Sequence, residues 1–296
     1  MIRNVIFYVI IVLVFGCSKE NPLQTASFQK GTIIFDYQNI ENDSLNASQR
    51  IYDEQLDLYY TGWGVYEDII FPGTGIEWSM NHLTNNSPNT KTLHCAITGG
   101  DQYNNVFFTN TKALKWQGEP WQYLEAKYLV YELELYIDGE LDCANPDEAT
   151  IEGVELTWQH IALPFSHGFG VQFSKGGEWR FWNDEQGVDE KPIGWESFSP
   201  KINQCLSPKK WHSIKLESYI TENSIVYKSM TIDNQEFDLQ NTILPYVKAK
   251  DGWVENFIQI GMQINGNKSV KNTAGVDAVA VILDNVHFKG YQLLQE

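Results

Sequence analysis

Tyr128-Leu129-Val130-Tyr131-Glu132-Leu133-Glu134-Leu135-Tyr136 decides the fold. Leu129, Tyr131, Leu133 and Leu135 share one parity, and Glu132 and Glu134 share the other. Side chains of an extended chain alternate between faces, so the segment predicts a strand with one face in a core. Working outward, the same period of two recurs in Val154–Gln159, Trp211–Glu217, Val226–Ile232, Phe257–Ile264 and Val279–Phe288, and Thr32–Phe35 opens the body. Turn clusters punctuate these runs at Asp138-Gly139, Gly176-Gly177, Asp184–Gly187, Asp233-Asn234 and Asn265–Asn267. Only Ser44–Leu58 has helical spacing in places, which predicts a short helix there. Many short strands without long amphipathic helices predict an all-β fold: a two-sheet antiparallel β-sandwich of the jelly-roll kind. No linker or repeat divides residues 31–296, which predicts a single domain.

Composition narrows the function. The chain has 296 residues, and its 38 Asp+Glu against 21 Lys+Arg give a net charge of −17. Such a chain does not neutralise a phosphate backbone, so nucleic acid is excluded as a partner. Aromatic residues reach 14%, with 10 Trp, and need either core or stacking surfaces. At the N-terminus, Arg3 precedes the apolar run Val5–Phe15, which is too short for a membrane span and suits an export signal. Leu13-Val14-Phe15-Gly16-Cys17 resembles a bacterial lipobox, which implies a signal peptide over 1–16 and lipidation of Cys17. Ser18-Lys19-Glu20 resembles the export tag of surface lipoproteins in Bacteroidetes-type bacteria. Residues 17–30 then serve as lipidated Cys and tether, and the chain is expected at the outer membrane or cell surface, joined to the membrane through its lipid anchor. Cys95, Cys143 and Cys205 remain, which predicts one disulfide and one buried thiol, with the pairing open.

Four segments, in order, resemble the concanavalin A-like lectin/glucanase jelly-roll superfamily: Ile151–Leu156, Lys210–Leu216, Thr231–Gln235 and Ile282–Phe288. The resemblance implies a jelly roll and a carbohydrate ligand. It departs from the family 16 glycosidase motif E-x-D-x-x-E: in Glu140-Leu141-Asp142-Cys143-Ala144-Asn145, Asn145 stands where the second Glu is required.

Parity also sorts the chemistry. Val154, Leu156 and Trp158 oppose Glu155 and Gln159; Val171 and Phe173 oppose Gln172; Trp179 and Phe181 oppose Arg180 and Trp182; Ile258, Ile260, Met262 and Ile264 oppose Gln259 and Gln263. The apolar sets predict core. Glu155, Gln159, Gln172, Arg180, Trp182, Gln259 and Gln263 then predict a ligand-binding surface on one concave sheet face, because amides, a carboxylate, a guanidinium and an indole match sugar hydroxyls and ring faces. A plain solvated sheet face is the competing reading. Arg180 also suits the carboxylate of a uronic acid. Glu132, Glu134 and Glu155 are expected to share a groove, as a hydrolase carboxylate pair requires. His160 is a candidate site residue beside the loop Ala162–Ser166, and His212 and His287 are expected in the core. No cofactor is expected; for Ca²⁺, Asp284 is the one candidate ligand. The expectation is therefore a non-catalytic carbohydrate-binding lipoprotein. Its alternatives are a glycoside hydrolase or polysaccharide lyase on the same scaffold, or a structural or adhesion lipoprotein without a sugar site.

Overall fold

The computed structural model describes residues 28–45, 52–53, 58–59, 62–67, 77–84, 91–98, 105–113, 125–162, 164–186, 192–248, 257–266 and 279–295. The signal peptide, Cys17 and most of the tether, together with Trp116, Trp121, Trp253 and the Phe257 side chain, lie outside the described residues.

In chain order the strands are β1 (Phe28–Tyr37), β2 (Tyr52–Asp53), β3 (Leu58–Tyr59), β4 (Gly62–Glu67), β5 (Glu77–Thr84), β6 (Lys91–Thr98), β7 (Asn105–Ala113), β8 (Tyr128–Asp138), β9 (Ile151–Ala162), β10 (Phe165–Ser174), β11 (Glu178–Gln186), β12 (Pro192–Asn203), β13 (Trp211–Ile220), β14 (Ser224–Ile232), β15 (Gln235–Pro245), β16 (Val247–Lys248), β17 (Phe257–Gly266) and β18 (Val279–Gln295). Two eight-stranded antiparallel sheets result. Sheet A runs β15-β14-β13-β8-β18-β6-β5, with β1 added against β18. Sheet B runs β12-β11-β10-β9-β17-β7-β4, with β16 added against β10.

The two sheets close on one core, as the alternation predicts. Leu129, Tyr131, Leu133 and Leu135 of sheet A are buried, and so are Leu156, Trp158, Phe169, Val171, Phe173 and Trp179 of sheet B. The Trp158 ring stacks on Phe169 at 5.2 Å and meets Tyr131 at 6.1 Å across the sandwich. Trp158 Nε1 donates to Ser218 Oγ at 2.9 Å, which satisfies the one polar atom its burial strands. Much of the aromatic excess is thus core filling. Trp63 is also fully buried and donates to the Ile40 carbonyl at 2.8 Å.

The Asp233-Asn234 turn is as expected. Both residues have positive φ, 49° and 71°, between the paired ends Ile232 and Gln235, the geometry whose twist matches a tight hairpin. Other expectations are corrected. Ser44–Leu58 holds no helix among its described residues; Leu45 forms a β-bridge to Trp63, and β2 and β3 are extended. The rest of that segment lies outside the described residues. Of the expected Asp184–Gly187 turn, Asp184–Gln186 are strand, since β11 continues through Gln186, and Gly187 lies outside the described residues. His212 is buried, bonded to Asp233 Oδ2 at 2.6 Å and the Ser207 carbonyl at 2.9 Å. His287 is not in the core. A bulge at Asp284–Asn285, with Asn285 at φ 49°, reverses the parity of β18. Val281 and Leu283 face inward before it, Val286 and Phe288 after it, and His287 pairs with Glu132 on the outer face of sheet A.

Cys143 and Cys205 form the disulfide, with Cα atoms 6.1 Å apart, and Cys95 is the buried thiol. Burial pushes the Cys95 thiol well up, so it stays protonated and inert.

Candidate functional site

The outer face of sheet B is built by register. Gln263 of β17 pairs with Glu155 of β9, Glu155 with Gln172 of β10, Gln172 with Arg180 of β11, and Arg180 with Ser197 of β12. Five polar side chains from five neighbouring strands thus form one row. At about 4.8 Å per strand spacing it spans about 19 Å. Its inner neighbours are core residues, so the strands hold the row rigidly.

Hydrogen bonds join this row to Asn265 at one end and to Glu178 at the other. Gln172 Nε2 donates to Glu155 Oε1 at 2.9 Å, and Asn265 Nδ2 donates to the same oxygen at 2.6 Å. Gln263 Nε2 in turn donates to Asn265 Oδ1 at 2.9 Å. Glu155 is only 8% exposed although it lies on an outer face. Burying a carboxylate is costly unless donors compensate, and the amides supply them.

At the other end of the row, Glu178 is a second hub. Ser197 Oγ donates to its Oε1 at 2.6 Å, Lys201 Nζ lies 3.2 Å from the same oxygen, and Arg180 reaches Oε2 through Nε at 3.2 Å and Nη2 at 3.0 Å. The Ser197 hydroxyl, with Arg180 and Lys201, holds the Glu178 carboxyl down at about 2, so it is ionised.

A cleft of about 750 Å³ opens over this row. Glu155, Gln172, Arg180, Asn265, Glu178 and Trp195 are among its lining. Trp195 pairs across strands with Trp182, their rings edge to face at 5.3 Å. Gly170 makes room for them: a Cβ there would sit 3.2 Å from Trp182 Cβ and 3.5 Å from Trp195 Cη2. The disulfide braces the rim. Gly177, at φ +83°, ends the turn that leads into Glu178, and a Cβ on it would meet Cys143 Sγ at 3.3 Å. Its carbonyl accepts from Gln204 N at 2.9 Å, next to Cys205.

Of the predicted residues, Glu155, Gln172 and Arg180 line the cleft. Gln263 sits behind it, holding Asn265. Trp182 supports Trp195, and its Nε1 donates to Asp184 Oδ1 at 3.3 Å. Gln159 and Gln259 pair directly with each other, four residues along the strands, about 13 Å from the Glu155 row. They share the face without joining the cleft. Glu132 and Glu134 do not share a groove with Glu155: they lie on β8, on the outer face of sheet A, where Lys289 and Asn285 bond them. Facing parity within each strand was right, but the chain crosses from one sheet to the other between β8 and β9, so equal alternation puts them on opposite sides of the molecule.

His160 is fully buried on the core face, packed at 5.7 Å against His167, and takes no part in the cleft. Glu140–Asn145 is a rim loop rather than a strand; Asn145 folds back to donate to Asp142 Oδ2 at 2.6 Å. Asp284 accepts from the Asn285 amide at 2.9 Å within the β18 bulge. Among the described residues no group of three or more His, Cys, Asp or Glu is placed to hold a metal ion.

Asn265, Glu178, Ser197, Lys201 and Trp195 were not picked out by sequence. Glu178 had the required signal, the same parity as Arg180 and Trp182. Asn265 was legible as the continuation of the Gln259, Gln263 parity, but resembled a turn residue. Ser197 and Lys201 had no legible signal, because β12 breaks register between Ser197 and Ile202.

No protein-family model matches the chain, and no curated protein matches it in sequence. Among solved structures it is similar to lectin I from Ulex europaeus in complex with the methyl glycoside of α-L-fucose, at 10% identity and TM-score 0.39, over 87% of this chain and 98% of that one. It is similar to an alginate lyase from Chlorella virus, at 11% identity and TM-score 0.38, over 77% and 93%. It is also similar to the binding domain of botulinum neurotoxin DC, at 12% identity and TM-score 0.35; the match covers 73% of this chain and 43% of that one.

Proposed function

We propose that this chain is a surface-anchored lipoprotein that binds carbohydrate in the cleft on the outer face of sheet B, without cleaving it. The observation that carries the reading is the Gln172–Glu155–Asn265 group, a carboxylate fixed by two amides in an open cleft beside Trp195. A face that served only to meet water would not need a carboxylate at 8% exposure or donors converging on it. Sugar hydroxyls take paired donors and acceptors of this kind, and the indole offers a ring surface.

Binding without cleavage is supported by the state of Glu178. General-acid hydrolysis needs a carboxyl held protonated near neutral pH. Glu178 is held ionised, and Glu155 Oε1 is occupied by the Gln172 and Asn265 amides. Cys17, in its lipobox context, supplies the anchor.

A glycan array of the mature chain, with reducing-sugar and unsaturated-product assays on each hit, tests the reading. Binding without turnover is expected, and product release from any bound glycan defeats it. Lipid labelling of the cells should mark the chain and fail in Cys17→Ser.

A further inference from the structure

The Glu178 hub holds more positive charge than Glu178 requires. One cation neutralises one carboxylate, yet both Arg180 and Lys201 converge on it and Ser197 adds a hydroxyl donor. Arg180 spends two donors, Nε and one on Nη2, on the single oxygen Oε2. A guanidinium has five, so three remain, and no described residue takes them. The Arg180 side chain is 39% exposed and that of Lys201 66%, and both line the cleft. The third lining cation, Lys175, is matched one to one by Glu152 at 2.9 Å. The surplus is therefore confined to the β11–β12 end, within a chain whose net charge is −17.

The two ends of the cleft differ in kind. The β9–β17 end offers amides around Glu155, suited to hydroxyls. The β11–β12 end offers a planar donor fork and a mobile ammonium, the combination that recognises a carboxylate or sulfate. We infer that the ligand is an anionic glycan, its hydroxyls on the Glu155–Gln172–Asn265 group and its acidic substituent between Arg180 and Lys201. Glu178 holds the two cations apart and in place. This inference rests on the carbohydrate-binding reading and specifies its ligand class.

Titration calorimetry of the full mature chain with polygalacturonate, its carboxyl-reduced neutral derivative, dextran sulfate, dextran and polyglutamate tests it, at low and high salt. Binding to polygalacturonate, dextran sulfate or both, at least about tenfold tighter than to the neutral partner polymer and weakened by salt, is expected. Which acidic polymer binds distinguishes carboxylate from sulfate. Arg180→Gln should lower that affinity about tenfold. Lys201→Glu, at a mostly exposed side chain, should do the same and provides the reading if Arg180→Gln fails to fold. Equal binding of the carboxyl-reduced polymer overturns the anionic inference and leaves carbohydrate binding standing. Equal binding of polyglutamate overturns it too, since charge alone is then read. If no saccharide binds, or if binding is untouched by Gln172→Ala and Trp195→Ala, the carbohydrate reading itself fails.

Discussion

Glu155 and Asn265 are 110 residues apart in sequence and 2.6 Å apart in space, Asn265 Nδ2 donating to Glu155 Oε1. The pair ties β9 to β17 on the outer face, above the register that sets Gln263 beside Glu155. Asn265→Leu removes one donor from a carboxyl group that stays buried. A loss of about 1–3 kcal/mol in urea unfolding is expected, together with weaker glycan binding. Unchanged stability would show that Glu155 does not depend on this bond.

Trp195 and Trp182 have unequal parts. Trp195 lines the cleft, whereas Trp182 supports it edge-on. Trp195→Ala should abolish most glycan binding. Trp182→Ala should cost about 0.5–1.5 kcal/mol of pairing and weaken binding less. Calorimetric titration of both variants against one glycan gives the order, and the reverse order would move the site.

Gly290 faces Phe35 across β18 and β1. A Cβ on Gly290 would lie 2.2 Å from Phe35 Cε1, inside the ring's own space. Gly290→Ala must therefore displace a buried ring and loosen β1 from β18, at a cost of about 1–3 kcal/mol. Thermal unfolding and hydrogen exchange at Ile34–Tyr37 would register it; unaltered protection there rejects the account.

The Cys143–Cys205 bond closes a separation of 62 residues. Loop-closure entropy gives it about 4 kcal/mol. Because it braces the turn into Glu178, Cys143→Ser with Cys205→Ser should lower both unfolding midpoint and glycan affinity. Loss of stability with full affinity would separate the brace from the site.

Acid should destabilise the fold in two stages. Burial lowers His167 from 6.5 to about 4, so the unfolded chain takes up that proton first. Stability from His167 is complete above about 6.5 and is lost as pH falls towards 4. The Ser197 hydroxyl and the two cations hold Glu178 at about 2; burial opposes the Glu217 charge, but hydrogen bonds from Lys215, Tyr128 and Lys30 bring it to about 2 as well. Their contribution is present above about 4.5 and is lost as pH falls towards 2. His167→Gln should flatten the upper stage, and Glu178→Gln the lower, in melting curves across pH.

How much of this was legible can be argued residue by residue. Alternation within a strand is a local property, since each side chain's face follows from its neighbours'. That is why Tyr131, Trp158 and Phe173 were assigned to the core, and why Glu155, Gln172 and Arg180 were found together on the outside. The turn at Asp233-Asn234 was legible because such a pair tolerates positive φ. His287 escaped because one bulge residue, Asn285, shifts parity without a change in composition. Lys201 and Ser197 escaped because β12 slips against β11. Glu132 was grouped with Glu155 because parity orders faces within a strand and says nothing about which sheet the strand joins.

The sequence by itself determined a two-sheet β-sandwich, its core, and the polar face that holds the cleft. Tertiary structure alone decided which polar residues meet. The β9–β17 register and the Cys143–Cys205 pairing are set by contacts between distant segments, so Asn265 reaching Glu155 exists only once those strands have paired, whereas the two cations sharing Glu178 need the β11–β12 register slip.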